Sequence, residues 1–542
     1  MPDTHVVTNQ VPPLADYNPA TSPVLMEALI REGGGWGVEE VTELGALSGG
    51  DVAQRWGDLA DRNRPVLHTH DRFGHRIDEI EYDPAYHDLM RTAIAHGLHA
   101  APWADERPGA HVVRAAKMGV WTPEPGHVCP ISMTYAVVPA LRHNAELADV
   151  YEPLLTSRAY DPALTVPTTK VGITAGMSMT EKQGGSDVRA GSTAAVRNAD
   201  GSYSLTGHKW FTSAAMSDVF LVLAHAPDGL SCFLMPRVLP DGTRNRMLLQ
   251  RLKNKLGNHA NASSEVEYDG AIAWLVGEEG RGVPTIIEMV NLTRLDCTLG
   301  SATSMRQGLT RAIHHAAHRK AFGAYLIDQP LMRNVLADLA TEAEAATVVA
   351  MRMAGATDAA NRGDERETLL RRIGLAAAKY WVCKRATPHA AEAMECLGGN
   401  GYAEDSGMPR LYREAPLMGI WEGSGNVSAL DALRAMATRP ECVEVLFDEL
   451  AMTAGADARL DAHVEALQST LADPATLEYR ARKIAEDITG ALQGSLLVRH
   501  GHPAVTEAFL ATRIARDWGG AFGTLPPGLD LGPIIERALV KG

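Results

Sequence analysis

The chain is poor in several features that would otherwise narrow its class. Aromatic residues make up only 6% of its 542 residues. No apolar run approaches the roughly 18–20 residues that a membrane-spanning helix needs. Six cysteines, Cys129, Cys232, Cys297, Cys383, Cys396 and Cys442, are scattered with no CxxC pair. That spacing argues against a disulfide framework and against a zinc site, and reads as buried thiols in a reducing compartment. Basic excess is absent: 51 Lys and Arg stand against 66 Asp and Glu, a formal charge of −15. The chain as a whole is therefore not built around nucleic acid. It has no Walker loop, no GxGxxG between a strand and a helix, no internal repeat and no low-complexity tract. The opening MPDTHVVTNQVPP lacks a basic stretch followed by an apolar one. The expectation is a soluble, cytoplasmic protein without a membrane span.

What is present is ordinary globular composition, 45% hydrophobic and 22% charged. The length exceeds one core and suggests three or four domains. Ala and Leu are plentiful, which leans helical. LHTHDRFGHRIDEIEYD (67–83) alternates around a Gly-containing turn and predicts a hairpin. From Pro84 to about Leu155 apolar residues recur at helical spacing. Between 174 and 282 the pattern becomes strand-like, with Asp200-Gly201 and Asp241-Gly242 as hairpin turns. Helical periods then return, with Leu336, Leu339, Ala343 and Ala346 on one stripe. The expected fold class is α+β, mainly α. Four domains are expected: a mainly helical one over 1–173, a central β domain over 174–282, a helical bundle over 283–440 and a helical extension over 441–542.

Two stretches concentrate chemistry. Glu395 to Asn426, ECLGGNGYAEDSGMPRLYREAPLMGIWEGSGN, holds a Gly-rich turn and an isolated carboxylate, Glu422, between Trp421 and Gly423. A carboxylate flanked by a ring and a Gly turn can be partly desolvated, which makes it a better base. A helix end with an exposed Glu is the plainer reading. Upstream lies Met177 to Asp187, MSMTEKQGGSD, where Gly184-Gly185 lets the backbone expose its N–H groups to a heterocycle edge or a phosphate. A plain turn is the competing reading. His314, His315 and His318 have helical spacing without a paired carboxylate, and read as core or surface histidines. His68-x-His70-Asp71 resembles a metal motif by letters only. No metal site is expected.

TEKQGGSD and ExxGGxGYxxDxxxxRxxxE resemble the two signature motifs of the acyl-CoA dehydrogenase flavoprotein family. The second matches at Glu395, Gly398, Gly399, Gly401, Tyr402, Asp405, Arg410 and Glu414. The first departs at Ser178, where the family prefers Gly, Ala or Cys. Arg319-Lys320-Ala321-Phe322-Gly323 with Gln329 looks like the family's RxxFG segment, and KLGNHANASSEVEYD like its β-domain stretch. The whole chain is most similar to the AidB-like subgroup.

The resemblance implies an N-terminal helical domain, a barrel-like β domain, a helical bundle and an extra C-terminal domain. It implies FAD, contacted by Met177, Met179, Thr180, Ser186, Phe211, Thr212, Ser213, Ile420, Trp421, Gly423, Ser424 and Asn426. Arg319, Phe322, Gln329 and Gly399 match positions that reach a neighbouring subunit's FAD, which implies a homotetramer. Ser186, Asn291, Arg294 and Trp421 match substrate-contacting positions, although the family often has Asp in place of Asn291. Glu422 matches the base that removes the α-proton of an acyl-CoA while the β-hydrogen leaves as hydride to flavin N5. Trp421 stands where the family often has Tyr, and narrows the expectation to a short or branched acyl chain. An electron-transfer flavoprotein is one candidate acceptor. The subgroup also carries an alternative: double-stranded DNA binding in an alkylation response, with weak or no dehydrogenase activity. Arg434 and Arg516 lie near the positions that would serve it, and Arg480, Arg482 and Lys483 form a small cluster. The segment 441–542 is nonetheless net acidic, with 15 Asp and Glu against 9 Lys and Arg, and solvated helix faces are the plainer reading.

Overall fold

Alternating strand formers between residues 194 and 276 close into a ring. In the computed structural model, which describes residues 4–541, β4 (Ala194–Arg197), β5 (Tyr203–Thr212), β6 (Val219–Ala226), β7 (Gly229–Pro236) and β9 (Ser264–Val276) carry it. β6, β4, β5, β9 and β7 pair in turn, and β7 pairs back onto β6. β3 (Ala175–Ser178) adds to β6 in parallel, and β8 (Met247–Leu252) adds to β9. Every second residue of these strands points inward. Phe220, Val222, Ala224, Phe233, Met235, Val266 and Tyr268 fill the core. Each large apolar side chain buried there contributes about 1.5–3 kcal/mol. The expected hairpin is present as β1 (Val66–His70) and β2 (Arg76–Glu81), and Ile80 enters the same core.

One salt bridge sits inside this barrel. Glu181 and Lys209 are almost fully buried and lie 2.8 Å apart. Burial alone would raise the Glu181 pKa. The Lys209 ammonium, Thr193 and the Ser192 N–H outweigh burial and hold the carboxyl well below the usual carboxylate range.

Two compact units make up the chain: Val52–Ala110 with Pro123–Asp296, which contains the barrel, and Met1–Asp51 with His111–Thr122 and Cys297–Gly542. The molecule is mainly α, 57% helical. In the second unit, helix Glu365–Glu395 is the hub, packed by helices Pro330–Asn361, Met408–Met418, Gly425–Thr438 and Leu477–His500.

Helix Pro330–Asn361 differs from its expected single apolar stripe. From Leu336 to Asp358 nearly every position is buried, including Asp338, Glu342 and Glu344. The reason is that the C-terminal extension covers its other faces and brings counter-charges with it. Arg513 pairs with Asp338 at 2.5 Å and Glu342 at 2.9 Å, and Arg385 pairs with Glu342 at 3.1 Å. Arg537 pairs with Glu344 at 3.2 Å. Burial pushes the Glu342 pKa up, but Arg385 and Arg513 pull it further down, to about 2. Among the described residues no helix is long and apolar enough to cross a membrane. All six cysteines are buried.

Two outcomes test these charges. Lys209→Met strands the Glu181 carboxylate inside the barrel and should lower stability by about 3–5 kcal/mol in thermal or denaturant unfolding. Glu342 ionises more readily folded than unfolded, so its contribution is complete above the ordinary carboxylate range and is lost as pH falls toward 2. Arg513→Met should weaken that acid dependence, read as a flatter stability profile below pH about 5.

Candidate active site

The glycine motif builds the approach to Glu422. Helix Glu365–Glu395 ends at Cys396, and Gly398 adopts φ 59° and ψ −142°, conformations that a side chain resists. A Cβ on Gly401 would lie 2.1 Å from the Met394 carbonyl oxygen, so glycine is required there. The chain then enters helix Met408–Met418, and Glu422 follows in a turn before helix Gly425–Thr438.

That turn is unusual. Glu422 has φ 56° and Gly423 φ 98°, two successive left-handed residues. For a glutamate this conformation costs about 1–3 kcal/mol, and it persists only where the surroundings impose it. They do so here through Lys379, which is 1% exposed in the interior of helix Glu365–Glu395. Its ammonium donates to the Trp421 carbonyl at 2.8 Å and to the Gly423 carbonyl. Ser428 Oγ adds a bond to the Gly423 carbonyl at 3.2 Å. The Glu422 side chain is half-buried. The Trp421 indole N–H is buried without a protein acceptor.

The neighbouring expected residues fall out differently. Ile420 is 63% exposed. Ser424 caps the next helix by position, but its side chain accepts no cap bond. Asn426 is exposed, and its Oδ1 accepts from Arg482 Nε at 2.8 Å, so that side chain is already engaged. Gly399 is exposed. Phe322 stands at the tip of a small hairpin, β10 (Lys320–Ala321) with β11 (Ala324–Tyr325), fully exposed at φ 52°. Arg319 Nη1 donates to the Asn9 carbonyl at 2.5 Å, and Gln329 Nε2 to the Ala321 carbonyl at 2.9 Å. These bonds hold the hairpin from both sides.

In the barrel unit, Met177 and Ser178 belong to strand β3 rather than to a loop, and Met177 is buried. Thr212 is also turned inward, with Oγ1 2.5 Å from Ser178 Oγ. The Ser178 hydroxyl that departs from the family pattern is thereby satisfied, since Tyr268 also donates to it at 3.1 Å. Met179 and Thr180 are half-buried, Ser213 is half-buried, and Ser186 and Phe211 are exposed. The Thr180 carbonyl accepts from the Trp210 N–H at 2.8 Å, which ties the loop to β5. A Cβ on Gly185 would lie 2.5 Å from Thr180 Oγ1, so the loop closes only around a glycine. Asn291 and Arg294 sit one turn apart on helix Gly282–His318, with Arg294 buried and 3.4 Å from Asn291 Oδ1.

Arg434 and the basic positions of the extension are engaged locally. Arg516 pairs with Glu486 at 2.9 Å and Asp487 at 3.5 Å, and Arg434 lies 3.8 Å from Asp431. Lys483 also binds Asp487, and Arg480 binds Asp473. His68 bonds Glu81, Asp71 bonds His75, and His314 bonds the Pro12 carbonyl. Among the described residues no group of three or more His, Cys, Asp or Glu is arranged to hold a metal. Lys379 and the Glu181–Lys209 pair are the groups that sequence reasoning missed. A lone Lys inside GLAAAKYWVC was the available signal for the first.

Known proteins match the chain along most of its length. Residues 9–162 match the model described as the adaptive response protein AidB N-terminal domain, 176–271 the acyl-CoA dehydrogenase middle domain, and 280–437 the acyl-CoA dehydrogenase C-terminal domain. AidB of Escherichia coli (strain K12) is 44% identical over 511 residues, covering 93% of this chain and 94% of that one. Acyl-CoA dehydrogenase family member 11 of Caenorhabditis elegans is 32% identical over 86% of this chain and 76% of that one. The crystal structure of Caenorhabditis elegans ACDH-11 in complex with C11-CoA superposes with TM-score 0.84 at 28% identity, covering 94% of this chain and 93% of that one. With its Glu422 turn, its barrel and these relatives, the chain belongs to the acyl-CoA dehydrogenase family, in its AidB-like branch, as an FAD-dependent oxidoreductase acting on the CH–CH bond of an acyl-CoA.

Proposed function

We propose that the chain desaturates a short or branched acyl-CoA between its α and β carbons, with Glu422 as the base. The observation that carries this reading is the Glu422 turn, a half-buried carboxylate held in the left-handed region between two clamped carbonyls. The Trp421 indole adds support. A buried N–H left without an acceptor costs about 1–3 kcal/mol, and here it is available to a ligand.

The residues present fit FAD. In the barrel unit the Gly184-Gly185 loop exposes its backbone, and Phe211 offers a 50% exposed ring beside it in sequence space to Thr212 and Ser213. Met179, Thr180 and Ser186 supply backbone and hydroxyl groups; Met177 and Thr212 contribute through backbone only, because their side chains face inward. In the helical unit Ile420, Trp421, Gly423 and Ser424 lead into the start of helix Gly425–Thr438, whose free N–H groups suit an anionic or polar ligand edge. FAD, when bound, supplies flavin N5 as the acceptor for the hydride that leaves the β-carbon. The protein's own groups do the remaining work. The Glu422 carboxylate takes the α-proton. The Glu422 backbone N–H donates to the thioester carbonyl and stabilises the enolate-like charge as that proton departs. Asn291, Arg294 and Ser186 hold the acyl-CoA, and Trp421 limits the acyl end.

We assign the fully exposed Phe322, with Arg319, Gln329 and Gly399, to the FAD site of a neighbouring subunit in a homotetramer. Support comes from the place of Phe322 at the tip of the β10–β11 hairpin, where the ring projects fully exposed. An electron-transfer flavoprotein is the proposed acceptor. The ion pairs of Arg516, Arg480 and Lys483 leave the net-acidic extension little uncompensated positive charge, so DNA binding is the weaker reading.

Anaerobic mixing with a series of acyl-CoAs, from short and branched chains to C11, should bleach the visible flavin absorbance fastest for the short or branched members. Glu422→Gln should abolish bleaching while FAD stays bound. Bleaching by no member of the series would remove the dehydrogenase reading. Phe322→Asp should lower the mass seen by light scattering and loosen FAD; an unchanged tetramer with full flavin would contradict the subunit assignment.

A further inference from the structure

We propose that Lys379 is a positioning residue that orients and polarises the backbone N–H of Glu422 through the Trp421–Glu422 peptide. This rests on the reading of Glu422 as the base. A buried ammonium normally needs a carboxylate partner. Lys379 has none among the described residues: both acceptors of its ammonium are main-chain carbonyls, those of Trp421 and Gly423. The turn thus buries the Lys379 side chain, 1% exposed, against two peptide groups.

Peptide geometry says what that charge does. The Trp421–Glu422 bond is trans, since no cis peptide occurs among the described residues. In a trans peptide the C=O and the N–H point in opposite directions across one rigid plane. Holding the Trp421 carbonyl on Lys379 therefore aims the Glu422 N–H away from the ammonium. The charge also draws electron density through the amide, so the N–H becomes a stronger donor, as in any chain of charge-assisted hydrogen bonds. The same ammonium binds the Gly423 carbonyl, which Ser428 also reaches. Glu422 is bracketed on both sides, and its left-handed backbone is the conformation in which both carbonyls converge on a single cation. The carboxylate and its own N–H are thereby presented together: one to take the α-proton, the other to hold the thioester carbonyl.

The test compares Lys379→Met, which removes the charge and both bonds, with Lys379→Gln, which keeps a neutral donor. Glu422→Gln runs alongside. With saturating acyl-CoA under anaerobic conditions, Lys379→Met should slow flavin bleaching by about 10²-fold, the scale of losing one oxyanion donor, and Lys379→Gln by about 10-fold. Half-saturation should change little. A second readout uses a 3-thia-acyl-CoA, which can lose its α-proton but has no β-carbon hydrogen to give. The pH at which its enolate forms on the flavoprotein should move upward in Lys379→Met, a change that loss of packing alone does not produce. Parent-like rates in both Lys379 variants, with Glu422→Gln inactive, would overturn the proposal and leave the base assignment standing. Parent-like bleaching by Glu422→Gln would remove the base reading and this proposal with it. Loss of FAD from both Lys379 variants would assign Lys379 to folding instead and equally overturn it.

Discussion

The turn at Glu422 exists because a buried cation gathers its carbonyls. Two consecutive left-handed residues bring the Trp421 and Gly423 carbonyls to one side, where Lys379 binds both. Lys379 meets them from helix Glu365–Glu395, which is placed by the helices packed around it, Pro330–Asn361, Met408–Met418, Gly425–Thr438 and Leu477–His500. The position of one carboxylate thus traces back through an ammonium to the packing of the whole helical unit.

Charge inside the cores follows a common rule. Asp338, Glu342 and Glu344 on the central helix are matched by Arg385, Arg513 and Arg537, two of which come from the C-terminal extension. In the barrel unit Lys209 matches Glu181 at the loop that carries the GG motif. The pairing outweighs burial at Glu342 and Glu181, whose carboxyls are held below the usual range, but not at Glu344, where burial wins and raises the pKa. Lys379 has neutral carbonyls as its partners, those of Trp421 and Gly423, and Arg237 in the barrel unit likewise donates to main-chain carbonyls, those of Met247 and Asp78. What sets Lys379 apart is its place, since the peptide groups that it binds flank Glu422.

The order of helical, strand and helical segments was legible because periodicity is local. The hairpin over 67–83 and the Asp-Gly turns of the barrel announced themselves in the same way. The motifs around Glu395–Asn426 and Met177–Asp187 were legible because glycines at fixed places mark positions where a Cβ has no room, as Gly401 and Gly185 show. Less legible were relations between distant residues. Nothing local in the apolar run around Lys379 says that its ammonium meets Trp421 and Gly423. The all-round burial of helix Pro330–Asn361 depends on Arg513 and Arg537 far along the chain. Side-chain direction was hidden too: Thr212 faces the barrel interior and Asn426 is taken by Arg482, although both lie in motifs that suggest ligand contact.

The most direct measurement is a crystal structure of the flavoprotein with FAD and an unreactive acyl-CoA analogue bound. The account predicts a Glu422 carboxylate oxygen within about 3–3.5 Å of the α-carbon, the range of a near-attack arrangement, and the Glu422 N–H on the thioester oxygen. A Glu422 side chain turned away from the α-carbon, or another carboxylate standing in its place, would contradict it.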